Sequence, residues 1–571
     1  GVRRSPDDAH RLAKVEAISN DGGGQVKLAD GPLDFYAVTD HGEYLGIVPA
    51  MADPEHPLSK TNTASTAFSS DPVEQSATFA RIGVSFVTQQ PIEDIYDKEH
   101  INKTWLDTVD AANRHYEPGS FTTFAGYEFT AMKPVDIKRN AAANLHRNVI
   151  FEDQAPDTIF TTLESGDPND LWRWMDSERT LGRDVLAIPH NANASNGMMF
   201  SLYDADGNPV SREALERRHR NEPVVEINQI KGSSDTRPLF SPEDEWAEFE
   251  HYPFLVASKI KSQDLAGSYV RPSLGEGLSA AEQYGVNPFA FGLIGSSDTH
   301  IGAGPYDEHR YSGKFPADAA NPRNRGSVPL GDTWDQQETL ANGRGLRASS
   351  APYFSAGGLA GVWAEANTRE ALFAALKRKE VFGTSGPRIQ VRFFAGNYPE
   401  DLLSTHDALT QAYQMGVPMG ATLAAGIESP AMLIWALQDP NSEPLQRLQV
   451  IKVWRDVDDE HREMVFDVAC SGGKAPDPQT YRCPDNGAVV DVKTCQTTSD
   501  AAAAELKTLW HDPSYRANQS AVYYVRVLEN PSCRWSTWDA VRNGTAPNPD
   551  LPTTVQERAW SSPIWLTAKG A

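Results

Sequence analysis

Six separated stretches of the chain carry residues that bind metals or move protons, and most of these residues close an apolar, strand-like run. They are Phe35 to His41, Phe124 to Glu128, Asn144 to Ile150 around His146, Val185 to His190, Val224 to Asn228 around Glu226, and Leu293 to His300. A buried strand finishing on His, Asp or Glu delivers a ligand to the rim of a sheet or barrel, where several strands can converge on one ion. The recurrence of such endings across about 300 residues points to a polynuclear metal site as the leading chemistry.

Within these stretches the residues have different prospects. Asp298 and His300 are two positions apart, so in an extended segment both face the same side. Asp40, His41, Gly42 and Glu43 place three possible ligands or bases in four residues. His41 is the expected ligand, with Asp40 as a carboxylate orienting a ligating imidazole. Glu128 sits on an apolar strand where a bare carboxylate is costly, a cost that bridging two cations removes. His146 and His190 complete the imidazoles. Asn191, Asn193, Arg147, Glu226, Lys231 and Glu43 are expected around the ions or facing a substrate. A serine or cysteine nucleophile is disfavoured: there is no Gly-x-Ser-x-Gly elbow, P-loop or dinucleotide fingerprint.

The elements that must position these residues alternate. Helix-like segments around His100 to Tyr116 and Asp167 to Thr180 precede the Glu128 and His190 strands. Asp167 can cap its helix, and Pro168 suits the first position. Strand alternating with helix predicts a parallel α/β sheet or barrel. Long polar loops (53–77, 201–222 and 302–342) are expected to frame the pocket mouth. After about residue 390 the texture becomes short strands separated by Pro, Gly and Asn-rich turns, as in a β-sandwich. The expected domains are therefore 1–390 and 391–571.

Bulk properties narrow the partners. The 571 residues carry a formal charge of -25, which disfavours broad nucleic-acid or anionic-membrane binding. No apolar run approaches the roughly 18 residues of a membrane span. All four cysteines, Cys470, Cys483, Cys495 and Cys533, lie in the last fifth of the chain. Two disulfides bracing that region are expected, with a periplasmic or secreted location.

The order Asp40-His41, Glu128, His146, His190, Asp298-x-His300 resembles the polymerase-and-histidinol-phosphatase (PHP) superfamily of metal-dependent phosphoesterases. The wording at Val38 to Glu43, Gly292 to His300, Gly357 to Ala364, Thr384 to Arg388, Cys533 to Ala540 and Glu557 to Trp565 is similar to its bacterial DUF3604 branch. The resemblance implies an α/β fold, a distorted (β/α)7 barrel with a C-terminal β-sandwich-like domain. It also implies two or three divalent ions held by His41, Glu128, His146, His190, Asp298 and His300, with Glu128, Asp298 and His300 acting in catalysis. Zinc is the first expectation for this mixed ligand set, then manganese or iron. One departure is plain: the superfamily opens on a His-x-His pair, and this chain has none. Members of the branch carry that pair shortly upstream of the stretch matching Gly1 to Arg4, so the first strand is expected outside this sequence. The activity implied is hydrolysis of a small-molecule phosphomonoester or phosphodiester. Hydrolysis of a sulfate ester, lactone or amide is the alternative, and an inactive metal-stabilised binding protein a second one.

Overall fold

The computed structural model describes residues 4–568 apart from 20–23, 140, 205–206, 257, 305, 332–333, 335–349, 425 and 457–459. The end of the long loop expected over 302–342 lies outside the described residues. The apolar runs form strands β1 (Phe35–Val38), β2 (Thr122–Phe129), β3 (Arg147–Phe151), β4 (Val185–Pro189), β5 (Val224–Gln229) and β6 (Gly292–Gly295). β4 and β6 are buried throughout, which is why they read as unbroken rather than alternating apolar stretches.

Between them lie helices α1 (Lys98–His115), α2 (Pro168–Thr180), α3 (Arg212–Asn221) and α4 (Val270–Tyr284). The side chains of Asp97, Asp167 and Ser211 accept backbone N–H groups of His100, Asn169 and Ala214, so the first three helix starts are written locally. Pro168 occupies a first-turn position where no donor is needed. α4 stops at Gly285, whose left-handed φ of 73° suits a residue without Cβ.

β1 runs parallel to β2, but β2, β3 and β4 pair antiparallel, giving a four-stranded sheet in the order β1-β2-β3-β4. β5 and β6 pair in parallel in a three-stranded sheet, with β4 alongside β5. The arrangement is thus mixed where strand–helix alternation predicts parallel. A local reason lies in residues 130–146, which form two short antiparallel strands, Met132–Asp136 and Ala141–Asn144, instead of a crossover helix. Among the described residues no hydrogen-bonded barrel closes.

Two further strands, β7 (Leu359–Val362) and β8 (Val381–Thr384), flank α5 (Arg369–Arg378) and pack on β6. Glycine permits that approach: a Cβ at Gly295 would lie 2.5 Å from the carbonyl oxygen of Thr384 and 2.7 Å from that of Leu359. Beyond them come β9 (Gln390–Gly396), β10 (Ala431–Leu437), β11 (Leu445–Arg455), β12 (His461–Cys470), β13 (Glu505–His511), β14 (Ala521–Glu529) and β15 (Arg558–Ser561). They form two facing sheets, one built on β7-β8-β15-β14-β11-β12 and one containing β9, β10 and β13. Val391, Phe393 and Ile434 of the second pack against Leu448, Val450, Phe466 and Val525 of the first, the layered core of a sandwich.

The link between β8 and β9 falls near residue 390, yet the structure bridges it three ways. Phe382, Gly383 and Thr384 of β8 pair with Ser561, Trp560 and Ala559 of β15. Val225, Ile227 and Leu293 share a core with Ile451, Tyr524 and Trp560. Arg526 on β14 donates to both oxygens of Asp244, at 2.9 and 2.7 Å, and Arg271 on α4 donates to Asp244 at 2.9 Å and Asp235 at 3.1 Å. All four charged side chains of this network are buried. Disulfides Cys470–Cys483 and Cys495–Cys533 close loops of the second half. No described helix is long and apolar enough to cross a membrane.

Candidate metal centre

Strand pairing brings the ligand residues together one step beyond the ladders. Glu128 N–H donates to the Asp40 carbonyl and Gly42 N–H to the Glu128 carbonyl, each at 2.8 Å, which seats His41 beside Glu128. His190 N–H donates to the His146 carbonyl at 3.3 Å, which seats those two imidazoles together. Three rings then converge on one buried carboxylate. Glu128 Oε1 lies 2.5 Å from His146 Nδ1 and 3.2 Å from His190 Nε2, and Oε2 lies 3.3 Å from His41 Nδ1.

The electrostatics follow from burial. Burial opposes ionisation of Glu128, but the imidazoles of His41, His146 and His190 around it, with a hydrogen bond from His146, outweigh it and hold the carboxyl well below the usual range. Burial pushes His146 down to about 4, so this ring is neutral with a lone pair to offer. Ligand atoms of Glu128, His146 and His190 lie within 4.8 Å of one another, and this buried group could hold a metal ion. The donors fit a cation: imidazole and carboxylate suit zinc-like ions, and His146 Nε2, His190 Nδ1 and Glu226 Oε2 are buried without a hydrogen-bond partner.

Asp298 and His300 form a second cluster beside the first. The His300 ring is 5.4 Å from the His41 ring, centroid to centroid. Asp298 has a left-handed φ of 50°, uncommon outside glycine and typical of positions held by their surroundings. Its Oδ2 accepts from Lys231, from Gln229 at 2.6 Å and from Asn191 at 3.0 Å, while Oδ1 accepts from Lys314 at 3.0 Å. Burial disfavours its charge, and Lys231 and Lys314 more than compensate, so its carboxyl also stays well below the usual range. Burial pushes Lys314 down to about 7 and Glu226 up to about 7.

His41, Glu128, His190, Glu226, Asp298 and His300, together with Asp40, line one cavity of about 820 Å³. It extends along β1 and β7 past Phe35, Ala37, Ile150, Ile188, Ile294 and Leu359.

Other expected residues are used elsewhere. Glu43 accepts from the backbone amides of Thr130 at 3.3 Å and Thr162 at 2.9 Å, fixing two loops. Arg147 pairs with Glu222 at 2.8 Å in the interior. Asn193 donates to the Lys231 carbonyl at 2.9 Å and accepts from Ser234 at 3.1 Å, so it shapes the strand end that carries Lys231. Sequence reasoning missed Lys314, whose loop carries no motif. It also missed Thr130, 2.7 Å from His41 Nδ1, and Asn148, which donates to Glu226 at 3.2 Å. Asn148 sits within the His146 stretch, so its position beside a ligand was the available signal.

The loop bearing Lys314 is anchored by the second half of the chain, through α6 (Trp535–Asn543). Arg325 makes a two-point pair with Asp539 at 2.7 and 2.8 Å, and Tyr311 stacks on Trp535 with centroids 4.2 Å apart. Asp539→Ala leaves the Arg325 guanidinium buried and unpaired, and is expected to cost about 3 kcal/mol of stability. Urea unfolding measures the loss, and limited proteolysis should find new cleavage near residues 302–330.

A family model described as a protein of unknown function (DUF3604) matches residues 1–568, so the chain belongs to that family. No curated protein and no solved structure gave a match.

Proposed function

We propose that this protein is a metal-dependent hydrolase of the PHP type, acting on phosphoester bonds. The observation that carries the reading is the convergence of His41, His146 and His190 on the buried carboxylate of Glu128. A divalent ion bound there, zinc first, supplies Lewis acidity and lowers the pKa of water toward about 7. Glu128, His146 and His190 would hold it, and His41 and His300 would offer further nitrogens. Glu226, with Oε2 unpartnered and its proton held to about pH 7, is placed to take or return a proton at that oxygen.

The barrel reading has its own support. β1 is an unpaired edge of one sheet and β7 of another among the described residues, and the apolar cavity runs between them. An additional strand in that slot would join those two sheets, while the β4–β5 and β6–β8 seams pack without ladder hydrogen bonds. The two disulfides support a periplasmic or extracellular location.

A panel of chromogenic phosphate monoesters, phosphate diesters, sulfate esters and carboxyl esters tests the activity, with zinc or manganese supplied. Turnover of phosphate esters, abolished by a chelator and restored by metal, is the expected result. Turnover confined to sulfate or carboxyl esters overturns the phosphoesterase reading. Metal retention with no turnover identifies a binding protein.

A further inference from the structure

A serine, a histidine and a carboxylate meet where α4 of the first half packs on β12 of the second. α4 carries Glu276 and Ser279, one turn apart and therefore on one face. His461 is the first residue of β12, the edge strand of its sheet, and lies against that face. Its Nε2 is 2.9 Å from Ser279 Oγ, and its Nδ1 is 3.4 Å from Glu276 Oε1. Glycine makes room for the ring: a Cβ at Gly275 would stand 3.0 Å from its Cγ and 3.1 Å from its Nδ1. None of the three residues lines the cavity beside Glu128. No Gly-x-Ser-x-Gly elbow announces the group, because its serine and histidine are 182 positions apart.

The neighbours of the ring select its tautomer. A carboxylate facing Nδ1 favours the hydrogen on that nitrogen, which leaves the Nε2 lone pair directed at the Ser279 hydroxyl. An imidazole so placed takes the hydroxyl proton as the oxygen attacks, and the carboxylate stabilises the imidazolium that forms. Ser279 and His461 are half-buried and the Glu276 side chain is 49% exposed, so a small electrophile reaches the oxygen from solvent. α4 itself offers no oxyanion hole, since amides inside a helix bond to carbonyls four residues back. Loss of one such donor slows acyl transfer by about 10²–10³-fold. An activated ester offsets that loss at the first step through its good leaving group. The acyl-serine it leaves is an ordinary ester with a poor leaving group, so it accumulates.

We propose that Ser279 is an activated nucleophile, acylated by small reactive esters, with His461 as its base and Glu276 orienting the ring. The bond from Oγ to the acyl carbon forms as the ester C–O bond breaks. The hydroxyl proton passes through His461 Nε2 to the departing oxygen. This reaction uses no metal and is independent of the hydrolase reading.

Reaction of the full chain with p-nitrophenyl acetate tests the assignment, on metal-loaded and on chelator-treated protein. Peptide mass spectrometry locates the acetyl group. The expected result is one burst of nitrophenolate per chain in both preparations, with the label on Ser279 and not on other serines. Ser279→Ala removes the label, and His461→Gln slows labelling at least about a hundredfold. Glu276→Ala slows it about fivefold, the size of effect of an exposed ion pair. Nitrogen NMR of histidine-labelled protein reads the orienting role separately: His461 carries its hydrogen on Nδ1 in wild type and on Nε2 in Glu276→Ala. A fluorophosphonate, which requires the same nucleophile, serves as a second probe. Circular dichroism checks folding, and if His461→Gln does not fold, the preference for Ser279 over the other serines of wild type decides. No label on Ser279 from either probe, no such preference, or labelling of folded His461→Gln within twofold of wild type overturns the proposal. Nitrophenolate release that stops on chelation, with Ser279 unlabelled, belongs to the metal centre and overturns it equally.

Discussion

Glu128→Gln is expected to release the divalent metal and, with it, any hydrolytic activity. The substitution keeps the shape of the side chain but removes the charge on which three imidazoles converge, at 2.5, 3.2 and 3.3 Å. The amide would also turn an N–H toward nitrogens that have lone pairs to give. Loss of one anionic ligand should weaken metal binding by at least about a hundredfold, more than the 10–100-fold typical of an outer partner. Equilibrium dialysis against zinc, read by elemental mass spectrometry, gives the affinity, and the chromogenic panel gives the rate. The fold should survive, since Gln fills the same volume and the core around β2 is apolar and intact. Unchanged zinc affinity in the folded variant would show that the ion, if any, is held elsewhere.

The second large effect is on stability. Asp244→Ala is expected to cost about 3–5 kcal/mol, because it strips the shared counter-ion from two fully buried guanidinium groups, Arg271 and Arg526. Asp235 remains within reach of both but is already bonded to Tyr524 and Trp560. The loss should be cooperative across the whole chain, since this network ties α4 of the first half to β14 of the second.

The same carboxyl makes the effect acid-labile in a defined direction. Burial opposes the Asp244 charge, but Arg526 and then Arg271 outweigh it and depress the folded-state pKa far below the usual value. A depressed folded pKa gives stabilisation that is complete above the unfolded-state pKa of about 3.9 and is lost as pH falls below it. Urea unfolding of wild type and Asp244→Ala should therefore differ most at neutral pH and converge as the pH drops through about 4 toward 2. A difference that grows on acidification would contradict this assignment.

What could be read from the sequence was what local chemistry fixes. The helix start at Asp167 announces itself because the capping side chain and its amide are two residues apart, whereas Ser211 opens a helix inside residues 201–222, which read as a polar loop. His41, Glu128 and His190 were legible because each lies at or just beyond the end of an apolar strand, and His146 because it opens one, and strand pairing does the rest. Partners distant in sequence were not legible. Arg147 looks like a substrate contact until Glu222, 75 positions away, is seen to claim it. Asp298 looks like a free ligand until Lys231 and Lys314 close on it from separate segments. The join between the halves was hidden for the same reason, since β8 and β15 are separated by almost the whole second half. The antiparallel run of β3 escaped because residues 130–146 carry no turn signature strong enough to reveal two paired strands.

Anomalous diffraction from crystals grown with zinc or manganese tests the central claim most directly. The expected result is a peak about 2.0–2.2 Å from Glu128 oxygen and from nitrogens of His146 and His190. An empty site between those three side chains in metal-soaked crystals, or a peak bound only by other residues, would contradict it.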